Sequence, residues 1–70
     1  MALAMMSLGE TRTISDFKGK DDMKRHLQNL GFIRGEKVQV VGENQSGLIL
    51  VVKGVRLALN RGLAALIIVN

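Results

Sequence analysis

The stretch Leu27–Val41, LQNLGFIRGEKVQVV, decides how the rest of the chain is read. Met23, Leu27 and Leu30 fall at i, i+4 and i+7, the spacing of one apolar helix stripe. That spacing predicts a helix from about Asp22 to Leu30, with Asp21 or Asp22 as its N-cap and Lys24, Arg25 and Gln28 toward water. Gly31 stands where a helix C-terminus is expected, since glycine enters the left-handed conformation without a Cβ clash. Phe32, one of two aromatic residues in the chain, is expected to plug a core. Gly35 permits a second turn, and Val38 and Val40 then alternate with Lys37 and Gln39 as a half-buried strand does. At about two and a half turns the helix cannot stand alone and must dock on the sheet it leads into.

Working outward, Thr11–Phe17 (TRTISDF) carries β-branched residues and reads as a first strand. Glu36–Val41 is the second. Gly42–Gly47 is a polar surface loop, and Leu48–Val52 a third strand. Lys53-Gly54 is a tight hairpin turn into Val55–Leu59, where Val55, Leu57 and Leu59 alternate with Arg56, Ala58 and Asn60. Asn60–Leu63 is a short turn or one helical turn, and the last strand runs from Ala64 or Ala65 to Val69. Short, closely spaced strands with one helix between the first two indicate a mainly β fold, a small barrel, in a single domain spanning residues 1–70.

The composition narrows the function. The 70 residues include no Cys, Pro, Trp or Tyr, so disulfides, thiolate metal sites and cysteine nucleophiles are excluded. Hydrophobic residues make up 47% with only two Phe, so the core is aliphatic. The net charge of +4 is spread singly along the chain and reads mainly as a solvated surface. The opening MALAMMSLGE lacks a basic region ahead of an apolar run, as a secretory signal would need. Lys53, Arg56 and Arg61 interrupt the apolar C-terminal half, so no membrane-spanning helix is expected and the protein is expected in the cytoplasm.

No catalytic constellation is legible. Ser7, Ser15 and Ser46 have no general base beside them, and no phosphate-binding glycine loop occurs. The one histidine, His26, lies a helical turn after Asp22, but a helix-start Asp and a surface His account for both, and no metal or cofactor site is assigned. Nucleic-acid binding is disfavoured, because small barrels stack bases on exposed aromatics and Phe17 and Phe32 sit in core-like contexts. The expectation is therefore a binding module and not an enzyme.

Two strands are apolar on both faces. Leu48, Leu50 and Val52 oppose Ile49 and Val51, and Ile67 and Val69 oppose Leu66 and Ile68. Only one face of a small barrel strand points inside, so the second must be covered by the flexible Met1–Leu8 segment and the helix, by another copy, or by a partner. Leu3, Met6 and Leu8 are suited to pack on a core edge. The candidate partner surface is Ile49, Val51, Leu66 and Ile68, expected exposed, with Arg25, Arg56 and Arg61 as its polar rim.

The order and spacing of these residues resemble the FeoA family. Leu27–Val40 fits L-x-x-L-G-F-x-x-G-x-x-V-x-V. Further on come Gly47, then Val52, Gly54, Arg56, Leu57, Ala58 and Leu59, then Ala64, Ile67 and Val69. Leu8-Gly9-Glu10 and Ile14 match at the start. The resemblance covers nearly the whole chain. It implies an SH3-like β-barrel and a cytosolic accessory role in ferrous iron uptake, with the cytoplasmic domain of the FeoB transporter as partner. The same domain type ends metal-dependent repressors. A regulatory module of such a repressor, a basic nucleic-acid-binding barrel and a homo-oligomer are the alternatives. The chain departs from many family members in having no proline in the loop before its third strand.

Overall fold

In the computed structural model, which describes residues 1–70, the predicted helix-to-strand transition is built as a helix closing motif. Helix α1 spans Asp21–Asn29. The Gly31 N–H donates to the Gln28 carbonyl at 3.0 Å and the Phe32 N–H to the Leu27 carbonyl at 3.1 Å. These are the two bonds of a Schellman cap, with Gly31 at φ +108°. Leu27 and Phe32, the side chains that flank the motif, are both fully buried. The other end differs from expectation. Lys20 is the N-cap and makes no side-chain cap bond, while Asp21 and Asp22 occupy the first turn. There they still face the positive end of the helix dipole. Met23 is half-buried, but Leu30 is 41% exposed. It is the C-cap residue, and the chain turns away at Gly31 before the stripe can bring it inside.

Strand β1 is Thr11–Phe17, β2 Lys37–Glu43, β3 Gly47–Val52, β4 Val55–Asn60 and β5 Ile67–Val69, with a single helical turn α2 at Arg61–Ala64. All pairings are antiparallel, in the order β4-β3-β2-β1-β5. The register slips between Val40 and Gly42 on β2 and between Ile14 and Asp16 on β1. Such bulges bend and twist a strand, and here the sheet wraps one cluster of 15 buried apolar residues. Val38, Val40, Leu48, Leu50, Val52, Ile67 and Val69 point into it, as the alternation predicts.

The N-terminal segment is built into the fold and is not a loose flap. Leu3–Met5 forms a 3-10 turn, Leu3 and Met6 are buried, and Leu8 remains 65% exposed. Ala2 bridges Ile68, and the Val69 N–H donates to the Met1 carbonyl at 2.8 Å.

Candidate partner-binding surface

No polar or charged side chain is buried, so every group capable of chemistry lies at the surface. No three His, Cys, Asp or Glu side chains gather to hold a metal ion, and His26 is exposed on α1. The surface is therefore described by what its strands place side by side.

The outer face of β1 to β4 carries two rows fixed by the register. One row runs Thr11, Gln39, Val51, Arg56 across four strands. The next runs Gly42, Ile49, Ala58 across three. Ile49 and Val51 are half-buried, not exposed as expected. For Ile49 the reason is local: its Cδ1 lies 3.3 Å from the point where a Cβ on Gly42 would stand, so it folds over bare backbone. Below the first row a shallow concavity of about 410 Å³ is lined by Thr11, Glu36, Lys37, Gln39, Val51 and Lys53. Lys37, Lys53 and Arg56 form no ion pair. Lys37 and Lys53 were not singled out in the sequence. Their signal was the alternation that puts Lys37 on the face of Gln39, with the hairpin bringing Lys53 to the end of β3.

Leu66 and Ile68 stand elsewhere. They belong to the β5 end of the strand order, with β1 and β2 between them and β3. Both are half-buried. Leu66 packs against the core, with its Cδ1 3.6 Å from the Cβ point of Gly19, and its carbonyl accepts from the Lys18 N–H at 2.7 Å. Ile68 is flanked by Asp16 and Ala2, and its carbonyl accepts from the Ser15 hydroxyl at 3.2 Å. Arg25 is exposed on α1. Arg61 pairs with Glu43 at 3.3 Å across the open end of the β2–β3 loop. The structure thus joins Ile49, Val51 and Arg56 on one face and leaves Leu66, Ile68, Arg25 and Arg61 outside it.

Two carboxylates are tuned, and both serve the scaffold. Glu10 accepts from the Ser7 N–H at 2.9 Å and pairs with Arg12 at 2.6 Å. The backbone bond first, and then Arg12, hold its pKa below the ordinary value. Asp16 is lowered in the same way, by the Phe17 N–H and then by Arg34. Arg12 also donates to the Asn70 carbonyl at 2.6 Å, tying β1 to the C-terminal end.

A family model described as the FeoA domain matches residues 1–70. No curated protein sequence matches the chain. Among solved structures, the chain is similar to a crystal structure of an iron uptake regulatory protein, FeoA. The TM-score is 0.91 at 28% identity, covering 99% of this chain and 93% of the other. FeoA of Stenotrophomonas maltophilia, solved with zinc and described as a prokaryotic SH3 domain protein, has a TM-score of 0.82 at 28% identity, covering 100% of this chain and 89% of the other. A manganese-dependent transcriptional repressor has a TM-score of 0.85 over 96% of this chain and 39% of its own length, at 17% identity, a likeness of fold alone. The architecture is accordingly a mainly β, SH3-like one. No helix is long and apolar enough to cross a membrane.

Proposed function

The chain belongs to the FeoA domain family, which is linked to ferrous iron transport, and from that premise we propose that it is a cytoplasmic, non-enzymatic accessory protein of ferrous iron uptake. It docks on the cytoplasmic domain of a FeoB-type transporter and modulates it. One observation carries the reading: the family match runs over all 70 residues of a fold whose buried side chains are all apolar. Such a fold offers surfaces, and its activity is to bind. The outer face of Ile49, Val51 and Arg56 has the makeup of an interface, an apolar centre beside a cationic rim. Leu66 and Ile68 by the β5 edge, Arg25 on α1 and Arg61 beside Glu43 are less suited, because Leu66 is committed to the core and Arg61 to Glu43.

The test is capture of the transporter's cytoplasmic domain by the intact protein and by Ile49→Glu and Val51→Glu. Capture that falls in both variants, with thermal unfolding still cooperative, supports the outer face. Unchanged capture moves the contact off the outer face. No capture by the intact protein overturns the adaptor reading. Light scattering on the same samples separates an adaptor from a self-assembling module.

A further inference from the structure

Strand β4 is the last strand of the sheet and has β3 as its only strand neighbour. The hairpin that leads into it fixes which of its backbone groups are free. Lys53 and Gly54 both have positive φ, +53° and +74°, the pair of values a two-residue type I′ turn requires. Such a turn closes on a mutually hydrogen-bonded pair, here Val52 and Val55. Bonded and non-bonded pairs then alternate along the antiparallel ladder. Val55, Leu57 and Leu59 direct their N–H and C=O groups at β3. Arg56 and Ala58 direct theirs away from the sheet, and no main-chain bond outside the strand pairing involves either residue.

Apart from the charge of Arg56, this edge lacks the usual protections of an exposed strand. It is six residues long, pairs with β3 in unbroken register, and contains no bulge and no proline. Val55 on it is 59% exposed. Beside its second half lies a depression of about 110 Å³ lined by Asn44, Ser46, Leu48, Ala58 and Asn60, large enough for one small apolar side chain. At its hairpin end the charge is positive, since Lys53 and Arg56 are exposed and unpaired, while at the far end Glu43 is held in an ion pair with Arg61. Glu36 is the one carboxylate on the neighbouring concavity, offset there by Lys37 and Lys53.

We infer that the free edge of β4 is the receiving strand for an extended acidic segment of a partner protein, which adds to the sheet by main-chain pairing with Arg56 and Ala58. Main-chain bonds give such strand addition its affinity and alternate side chains its specificity. Carboxylates on alternate residues of the incoming strand meet Arg56 and Lys53. A second copy of the chain is the poorer occupant, because pairing two β4 strands brings cations together with no acid on either. The edge geometry carries this whichever protein supplies the strand, so it holds or fails independently of the transporter.

The probe is a short, end-blocked, fluorescein-labelled peptide of alternating Glu and Val, with alternating Lys and Val as its control. Binding is followed by anisotropy and located by amide hydrogen exchange in the intact protein. The acidic peptide is expected to bind, the basic one not, with new protection at the Arg56 and Ala58 amides. Arg56→Glu is expected to weaken binding by about tenfold or more, as loss of a complementary charge does. Ala58→Pro removes an N–H that β3 does not use, a placement an edge strand tolerates, and is expected to abolish binding while melting cooperatively. Should Ala58→Pro fail to fold, Arg56→Glu and the protection map decide alone. No binding, equal binding of both peptides, protection confined to other strands, or β4 amides already protected by self-association would each overturn the inference.

Discussion

The two ends of the sheet are treated in opposite ways. At the β5 end the strand is only three residues long, and its free side is closed by the N-terminal segment. Ala2 bridges Ile68, Met1 and Val69 exchange main-chain bonds at 2.8 and 2.9 Å, and Leu3 and Met6 anchor the cover in the core. At the β4 end the strand is twice as long and no second strand pairs with it. A sheet that spends buried side chains to cover its shorter edge and leaves the longer one bare has one edge serving stability and one available for contact. Unpaired edges template association with other chains, and this asymmetry is the ground for the strand addition inferred at β4.

The strongest blow to that asymmetry falls at Gly47, where β3 begins. A Cβ there would stand 2.2 Å from the Leu59 carbonyl oxygen and 2.7 Å from the Asn60 Cα, and backbone cannot yield as a flexible side chain does. Gly47→Ala should cost about 4 kcal/mol, at the upper end for one substitution, and should detach the far end of β4; urea unfolding measures it. Next comes the opposite edge. Leu3 is fully buried, and Leu3→Ala should cost about 3 kcal/mol and speed exchange of the Val69 amide while leaving that of Leu57 protected until global unfolding. Equal loosening at both ends would erase the distinction drawn between them.

A smaller effect belongs to the cap of α2, the turn that leads from β4 towards β5. The Asn60 side chain accepts from the Leu63 N–H at 2.8 Å, and Asn60→Ala should lower stability by about 1 kcal/mol, read as a lower melting temperature. The smallest is electrostatic. The pKa of Glu10 is lowered in the folded state, so its bonds to Ser7 and Arg12 add stability above the unfolded carboxylate's pKa and lose it as pH falls. Melting of the native protein and of Glu10→Gln should differ slightly at neutral pH. The two should converge below the ordinary value of 4.5, with acid titration of the melting temperature as the check.

Local rules read most of the elements. The bounds of β1, the Lys53-Gly54 hairpin, the inward residues of β3 and β5 and the glycine that ends α1 all follow from alternation and turn chemistry, which act over a few residues. The differences arose at backbone turns and bulges, which side-chain periodicity does not show, and where distant chain decides. Leu30 fits the helical stripe, yet the Schellman turn at Gly31 leaves it outside. The bulge at Gly42 extends β2 to Glu43, past the expected end at Val41. The N-terminal segment was expected to be flexible because a few mixed apolar residues show no period; its order comes from β5, more than sixty residues away. The candidate surface was half legible for the same reason. Alternation assigns Ile49, Val51, Leu66 and Ile68 to outer faces, but strand order alone says that these faces are not neighbours. It also says that β4 is an edge.

Amide hydrogen exchange of the free, dilute protein tests the account most directly. Slow exchange at Val69 and Leu57, with fast exchange at Arg56 and Ala58 at every protein concentration, is the predicted pattern of one closed and one open edge. Protection of Arg56 and Ala58 equal to that of Val69 would contradict it, because the edge held to be free would already be filled.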